Sequence, residues 1–338
     1  MGSLRKLLYP LAVLFGLVLR IRHALYNKGL FKSVTYDFPI ICVGNLSVGG
    51  TGKSPMTEYL IRLLSSTYKT GVLSRGYKRK TSGYVIAGQG TDAAAIGDEP
   101  YQYFRKFKNI NVAVSEERTI GIQKLIHETE TEVILLDDAF QHRKVKAGLN
   151  LLLSAYDNLF TEDYLLPTGN LRDLMSRAKA ADIIIITKCP DNLATPAQEK
   201  ISGKLKSFGN KPVYFTTIVY NEYVQNNAQQ IKLETFKETP FTLVTGIAKP
   251  MPLVHYLKNR GCDFEHISFS DHHNFSITEL EQLKSKKLIL TTEKDFSRLE
   301  KHLTDCYYIS IEPRFLGNTK SDFNRLVLDY ISKEKRIR

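Results

Sequence analysis

The stretch PIICVGNLSVGGTGKS, residues 39–54, decides the fold of this chain. Its first residues form a short apolar run typical of a buried strand, a glycine-rich loop follows, and apolar residues at helical spacing come next. A strand, a glycine-rich loop and a helix in this order direct backbone N–H groups and a helix N-terminus at one point, as a polyphosphate requires. The stretch therefore predicts a phosphate-binding P-loop within an α/β fold.

The end of this loop carries the predicted nucleotide contacts. Lys53 is expected to reach the β- and γ-phosphates of ATP, and the Ser54 hydroxyl is expected to ligate Mg²⁺. The strict pattern G-x-x-x-x-G-K-[ST] requires glycine at position 47, where this chain has Ser47. Neighbouring glycines still supply the flexibility that the loop needs. The predicted ATP contacts are Gly49, Gly50, Thr51, Gly52, Lys53 and Ser54.

Two further apolar runs predict parallel strands of the same sheet. The run VILLDD ends in Asp137 and Asp138, which would face the crevice where ligands of open α/β sheets bind. Either carboxylate can hold Mg²⁺ together with Ser54, and the sequence leaves open which one does. The run ADIIIITKCP resembles the guanine-reading motif N-K-x-D of GTPases, but Pro190 replaces the aspartate, so guanine specificity is not supported.

Composition predicts two domains and an anionic partner. The chain has 338 residues, 43% of them hydrophobic and 24% charged, which is ordinary globular usage. Its formal net charge of +12 favours phosphate, nucleic acid or an acidic membrane as a partner. The four cysteines are widely spaced and are expected to be reduced thiols.

Residues 7–19, LLYPLAVLFGLVL, form an apolar run with basic residues on both sides. The run is shorter than the roughly 20 residues of a spanning helix, and no small-x-small cleavage site follows it. We therefore interpret residues 1–35 as a segment that associates with an anionic membrane surface. A core helix of the first domain is the alternative.

Several motifs in one order resemble the tetraacyldisaccharide 4′-kinases of lipid A biosynthesis over nearly the whole chain. The chain departs from the usual family pattern in three places, with Ser54 for threonine, Ala139 for glycine and Asp173 for glutamate. The shorter Asp173 side chain puts its contact in doubt. The motifs are GNLSVGGTGKSP, SRGYKRK, GDEP, DDAFQHRK, LLPTGNLRD, ADIIIITK, TGIAKP, FSDHHNF and TTEKDFSRL.

This resemblance implies a P-loop NTPase-type parallel-sheet domain and a smaller Rossmann-like α/β domain joined by a two-stranded linker. The expected boundaries are residues 36–210 for the kinase domain, 211–238 for a linker hairpin and 239–338 for the C-terminal domain. The resemblance also implies transfer of the γ-phosphoryl group of ATP to the 4′-hydroxyl of a tetraacyldisaccharide 1-phosphate. The expected lipid-binding residues are Arg75, Tyr77, Arg118, Gln141, Arg172 and Asp173.

The catalytic base is expected to be Asp98 of the GDEP motif. A carboxylate bound to Mg²⁺ is a poor proton acceptor, which argues against Asp137 and Asp138. The resemblance pairs Asp98 with His272, and Lys53 completes the expected catalytic set. A metal site at the adjacent histidines His272 and His273 is disfavoured, because adjacent side chains seldom point to one site and no third ligand is evident.

Two rival functions follow from other features of the sequence. A membrane-associated P-loop NTPase switch would hydrolyse ATP without a lipid acceptor. A nucleic-acid binder would use the positive charge, but the sequence lacks aromatic RNA-binding signatures, and much of its basicity surrounds the apolar N-terminus. We therefore expect a monomer that acts on an acylated disaccharide at the cytoplasmic face of a bacterial inner membrane and binds no nucleic acid.

Overall fold

The computed structural model of the chain describes residues 5–271 and 273–336. It contains a large twisted sheet with helices on both faces, together with a two-stranded parallel pair formed by β1 and β7. The strands are β1 Val34–Thr35, β2 Ile40–Asn45, β3 Thr70–Ser74, β4 Val85–Ile86, β5 Ile110–Val114, β6 Val133–Asp137, β7 Val145–Lys146, β8 Leu149–Ala155, β9 Ile183–Thr187, β10 Val213–Gln225, β11 Gln230–Lys232, β12 Phe241–Thr245, β13 Phe264–Ser268, β14 Ile289–Thr292 and β15 Cys306–Phe315.

Helices connect most of these strands. Short 3₁₀ helices occupy residues 160–162, 175–180, 206–208 and 233–237. The α-helices are α1 Tyr9–Asn27, α2 Lys53–Leu64, α3 Ala93–Ile96, α4 Asp98–Lys106, α5 Arg118–Glu128, α6 Thr195–Leu205, α7 Met251–Asn259, α8 Ile277–Lys284, α9 Glu293–Leu299 and α10 Lys320–Arg336.

The P-loop unit of the sheet has the order β5-β3-β6-β2-β8-β9, and all of these neighbours are parallel. β2, β3, β6 and β9 are buried throughout, since helices cover both faces and the strands are rich in Ile, Val and Leu. β2 lies between β6 and β8, so the loop after β2 and the aspartates at the end of β6 lie at the same edge of the sheet. The predicted α/β fold with a P-loop-type parallel sheet is confirmed.

The C-terminal unit has the order β13-β12-β14-β15, again with parallel neighbours. β12 and β14 are parallel neighbours, because β13 pairs with the other edge of β12. The carboxyl ends of β12 and β14 therefore lie side by side. The N-terminus of α9 follows β14 directly and is capped by the Thr292 side chain, which accepts a hydrogen bond from the Asp295 N–H. This arrangement directs α9 towards the P-loop unit.

Strand β10 joins the two units into one sheet. It pairs in parallel with β9 through residues 213–215 and antiparallel with β15 through residues 216–225. We expected a hairpin over residues 211–238; β10 does pair with β11, but only over three residue pairs, and its long partner is β15.

Helix α10 returns to the P-loop unit although it follows the C-terminal strands. Its buried residues Phe323, Val327 and Ile331 share a hydrophobic cluster with the inner face of α2. The Tyr330 hydroxyl accepts a hydrogen bond from the Ile40 N–H at 3.0 Å and donates one to the Ile40 carbonyl at 3.1 Å. Helix α10 therefore packs on the P-loop unit, although the expected boundary at residue 239 assigns it to the C-terminal domain.

Helix α1 lies on the surface of the P-loop unit with its two sides in different environments. Ala12, Gly16, Leu19 and His23 are buried against the protein. The opposite side exposes a row of large apolar side chains. These are Leu11, Val13, Leu14, Leu17, Val18 and Ile21. No helix within residues 5–271 and 273–336 combines the length and apolar character needed to cross a bilayer.

Candidate active site

Left-handed glycines and two side-chain hydrogen bonds fix the conformation of the P-loop. Gly49 and Gly52 have φ values of 96° and 82°, which side chains rarely adopt. The Asn45 side chain donates to the Thr51 hydroxyl at 2.7 Å, and the Thr187 hydroxyl donates to the Thr51 carbonyl at 2.8 Å. The loop is thus tied to β2 on one side and to β9 on the other.

Lys53 begins α2 and points back over the loop. Its Nζ donates to Asn45 Oδ1 at 3.3 Å and lies 3.6 Å from Asp138 Oδ1. Arg172 donates to Asp138 Oδ2 at 3.0 Å, and its other terminal nitrogen contacts the Asn45 side chain and Asp138 Oδ1. Lys53, Asp138 and Arg172 therefore form one charged cluster at the mouth of the loop.

Asp137, the last residue of β6, and Asp138, which follows it, lie in different electrostatic environments. Asp137 is 5% exposed, and its only described donors are the Thr57 and Tyr103 hydroxyls, both at 3.4 Å. Burial, and then repulsion from Asp138, raise the pKa of Asp137 to about 7. Burial would also raise the pKa of Asp138, but Lys53 and Arg172 outweigh it and hold that pKa at about 2.

Asp138 also has a strained backbone. Its φ of 50° is left-handed, which is uncommon for a residue other than glycine. Such conformations persist where the surrounding structure enforces them and are frequent at functional sites. The Asp138 carbonyl accepts a hydrogen bond from the Gln141 amide at 3.2 Å, so Gln141 supports the turn from within the protein.

The residues expected to bind lipid differ in their exposure to solvent. Arg75 and Tyr77 are exposed at the end of β3, and Arg172 reaches the charged cluster. Arg118 is only 3% exposed, and its Nε and Nη2 atoms have no hydrogen-bond partner among the described residues. Burial lowers the pKa of Arg118 to about 10, against the opposing effects of Asp137 and Asp138. Arg118 therefore affects the site through its charge.

Asp173 lies inside the protein. It was expected to bind the lipid, but it is 1% exposed and lies under α1, where its Oδ1 atom is 2.5 Å from His23 Nε2. The same oxygen accepts a hydrogen bond from the Leu174 N–H at 2.8 Å. In this conformation the Asp173 side chain joins α1 to the neighbouring loop, and a contact with lipid stays a prediction.

Asp98 lies where the two units of the sheet meet. It begins α4, and its carboxylate forms an ion pair with Arg298 of α9. Further ion pairs join the same helices, including Lys106 with Glu293 at 2.9 Å and Lys294 with Glu99 at 3.7 Å. His272, the expected partner of Asp98, lies outside the described residues.

Sequence reasoning missed Lys188, which follows β9. Its φ of 58° is left-handed, and a Cβ placed on Gly50 would lie 3.5 Å from Lys188 Nζ. Lys188 therefore lies over the P-loop beside Lys53. The run TKCP contains this lysine, but its pattern indicates only an incomplete guanine-reading motif and no contact with the P-loop.

Comparisons with known proteins point to one family. The family model described as tetraacyldisaccharide-1-P 4′-kinase matches residues 4–332. A tetraacyldisaccharide 4′-kinase of Flavobacterium johnsoniae is 46% identical, with 98% of this chain and 99% of the relative covered. One from Bacteroides thetaiotaomicron is 40% identical, with 99% and 95% covered.

A solved structure shares the whole fold. It is the crystal structure of LpxK from Aquifex aeolicus in complex with ATP, which superposes with a TM-score of 0.81 at 28% identity. The match covers 97% of this chain and 100% of the Aquifex chain. The similarity therefore extends through both units of the sheet.

Proposed function

The chain belongs to the tetraacyldisaccharide-1-phosphate 4′-kinase family, and we propose that it transfers the γ-phosphoryl group of ATP to the 4′-hydroxyl of a tetraacyldisaccharide 1-phosphate. The product is the 4′-phosphorylated lipid A precursor of lipopolysaccharide biosynthesis. The observation that carries this proposal is the cluster of Lys53, Asp138 and Arg172 at the mouth of a P-loop. It places two cations and a carboxylate where a terminal phosphate would lie.

The loop residues Gly49–Ser54 would bind the ATP phosphates through backbone N–H groups at the start of α2. Lys53 Nζ is held by two long contacts, at 3.3 and 3.6 Å, which phosphate oxygens can replace. Lys53 and Arg172 would then offset the negative charge that builds up on the transferred group. Lys188 lies close enough to Gly50 to contribute a third cation.

Mg²⁺ fits the residues around Asp137. Among the described residues, two long donor contacts reach this buried carboxylate, whose pKa is near 7, and a divalent cation would supply the missing compensation for its charge. The Tyr103 hydroxyl contacts both Asp137 and the Ser54 side chain, which places these two side chains close together. Ser54, Asp137 and Asp138 would hold the ion, which supplies charge neutralisation to the bound phosphates.

Proton removal from the 4′-hydroxyl is assigned to Asp98, with His272 as its orienting partner. Asp98 is separate from the Asp137–Asp138 pair, so it does not have to share its charge with the metal. Its contact with Arg298 places it at the junction of the two units, where closure would bring a substrate against it. Asp98→Ala and His272→Ala should each lower kcat strongly, and the double variant should be scarcely worse than the more damaged single variant.

The lipid is expected to reach the site along the surface that carries Arg75 and Tyr77. Both side chains are exposed beside the P-loop unit, and the positive charge of Arg75 suits a phosphorylated sugar. Arg118 would add to the positive potential from beneath this surface. The substitution Arg75→Ala should therefore raise the KM for the lipid more than the KM for ATP.

The exposed side of α1 is proposed to lie in the interface of the bacterial inner membrane on its cytoplasmic face. Its apolar row is next to Arg20, Lys28 and Lys32, a combination that binds anionic lipid surfaces. In a vesicle flotation assay, Leu14→Asp should release the protein from anionic vesicles. The matched control Ile277→Asp changes an equally apolar, 81% exposed residue on α8 and should leave binding unchanged.

The decisive experiment follows the label of γ-labelled ATP in the presence of Mg²⁺ and a panel of glycolipids. The proposal requires the label on the tetraacyldisaccharide 1-phosphate, and much less on a lipid whose 4′-position is blocked. Release as inorganic phosphate alone would favour the NTPase switch instead. Light scattering of the purified protein would test the expected monomer.

A further inference from the structure

Helix α1 is attached to the protein through a buried polar pair as well as through apolar packing. His23, near the end of α1, is 7% exposed, and its Nε2 lies 2.5 Å from Asp173 Oδ1. Arg143 donates to His23 Nδ1 at 3.2 Å and to the His23 carbonyl at 3.1 Å. These partners define the tautomer, with Nε2–H donating to Asp173 and Nδ1 accepting from Arg143.

Asp173 ends a loop, residues 165–173, that we call the strap. The strap lies along the P-loop as a short antiparallel segment, with Ser47 opposite Leu171. The Arg172 N–H donates to the Leu46 carbonyl at 2.8 Å, and the Val48 N–H donates to a strap carbonyl, that of Asn170, at 2.8 Å. The backbone of the P-loop is therefore supported directly by the backbone of the strap.

The segment that leads into α1 holds the other end of the strap. Arg5 Nε donates to the Pro167 carbonyl at 3.0 Å, and Arg5 Nη1 donates to Asn170 Oδ1 at 3.1 Å. Arg5 and His23 thus contact the strap from opposite ends of the helix. The position of the strap depends on how α1 is seated.

The strap presents Arg172 to the nucleotide site. From the position next to Asp173, the Arg172 guanidinium contacts Asp138 and the Asn45 side chain of the P-loop strand. A continuous series of contacts therefore leads from His23 through Asp173 and Arg172 to Asp138. Its buried members are costly to leave unpaired, so loss of one is expected to move its neighbours.

We propose that His23 is a positioning residue for phosphoryl transfer, which fixes the strap through Asp173 and thereby holds Arg172 on Asp138 and the P-loop. The seating of α1 on the protein then controls the geometry of the nucleotide site, separately from any contact of its apolar side with lipid. His23 and the exposed apolar row lie on different sides of the helix, so substitutions separate the two roles. This inference rests on the proposed kinase activity.

The test compares His23→Phe, which fills the space without a donor, with His23→Gln, whose amide can still donate to Asp173. Turnover is measured with ATP and detergent-dispersed tetraacyldisaccharide 1-phosphate, so that membrane binding is not limiting. His23→Phe should lower kcat about 10- to 100-fold, the effect of displacing a catalytic group by about 1 Å. His23→Gln should recover most of this loss, and His127→Ala, at an exposed histidine, should match the wild type.

A double variant separates positioning from general destabilisation. In an Arg172→Ala background, His23→Phe should lower kcat by no more than about twofold, because the group that it positions is already absent. Multiplicative losses, or wild-type kcat in His23→Phe, would overturn the inference. If His23→Phe does not fold, Asp173→Asn, which keeps the volume, carries the same expectation and the same refutation.

Failure of the proposed function gives a different result from failure of this inference. A wild-type protein that binds ATP but transfers nothing to the lipid refutes the kinase assignment. The affinity for ATP then becomes the readout, since Arg172 contacts Asp138 and Asn45 at the mouth of the P-loop. A several-fold weaker affinity in His23→Phe would support the positioning role, and an unchanged affinity would refute it.

Discussion

Replacing Asp137 with asparagine is expected to stabilise the ligand-free protein while removing its catalytic activity. The pKa of this buried carboxyl rises from the usual 3.8 to about 7, first because of burial and then because of Asp138. Each unit of pKa corresponds to about 1.4 kcal/mol. The rise therefore represents a cost of about 4 kcal/mol to the folded state at pH 8, and asparagine does not carry this cost.

The sign of the pH dependence follows from proton binding. Between about pH 4 and pH 7 the folded state keeps the Asp137 proton while the unfolded state releases it, so stability falls as the pH rises through this window. Below the window the carboxyl is protonated in both states, and its ionisation costs nothing. The advantage of Asp137→Asn over the wild type should thus grow by about 2–3 kcal/mol between pH 5 and pH 8.

Urea unfolding in EDTA at several pH values measures this difference. Asp305→Asn, at an exposed aspartate, serves as the matched control and should show no such trend. Adding Mg²⁺ and ATP should shrink the pH dependence of the wild type, because a cation beside Asp137 favours its charged form. A variant that is less stable than the wild type at every pH, or a difference independent of pH, would refute the reasoning.

Three further substitutions test other parts of the site. Lys53→Ala should lower turnover by orders of magnitude with an unchanged unfolding midpoint, which steady-state kinetics and urea unfolding together would check. Gly44→Ala should cost about 1–3 kcal/mol and most of the activity, because its Cβ would lie 2.5 Å from Phe140 Cβ; unchanged stability would contradict this. Lys106→Met should destabilise the protein by about 3–5 kcal/mol in urea unfolding, because the buried Glu58 and the half-buried Glu293 lose their cation.

The sequence predicted those parts of the site that depend on local chain order. The P-loop and the aspartates at the end of β6 each belong to a run of about ten residues, and apolar periodicity and glycine spacing within that run define the local structure. The sequence also predicted that the P-loop and these aspartates lie at one edge of the sheet, since the carboxyl ends of parallel strands share an edge.

Contacts between distant segments could not be predicted in this way. Pairing of β10 with β15 joins residues about ninety positions apart, and no local pattern records that pairing. The return of α10 to α2 depends on the shape of a surface that only the folded chain forms. Asp173 shows the same limit, because its burial depends on α1, whose His23 lies 150 positions away in the sequence.

Asp98 of the GDEP motif contacts a residue that is distant in the sequence, and its motif does not predict this contact. The motifs place it apart from the aspartates proposed to bind the metal, and the structure adds an ion pair with Arg298 on the other unit of the sheet. Arg298 Nη1 also lies 3.5 Å from the buried Asp295, whose other carboxylate oxygen accepts the Gly246 N–H at 2.8 Å. Any relative movement of the two units must therefore move the partner of the proposed base. A closing movement of the units would thus change the charge next to the Asp98 carboxylate, and with it the affinity of that carboxylate for a proton.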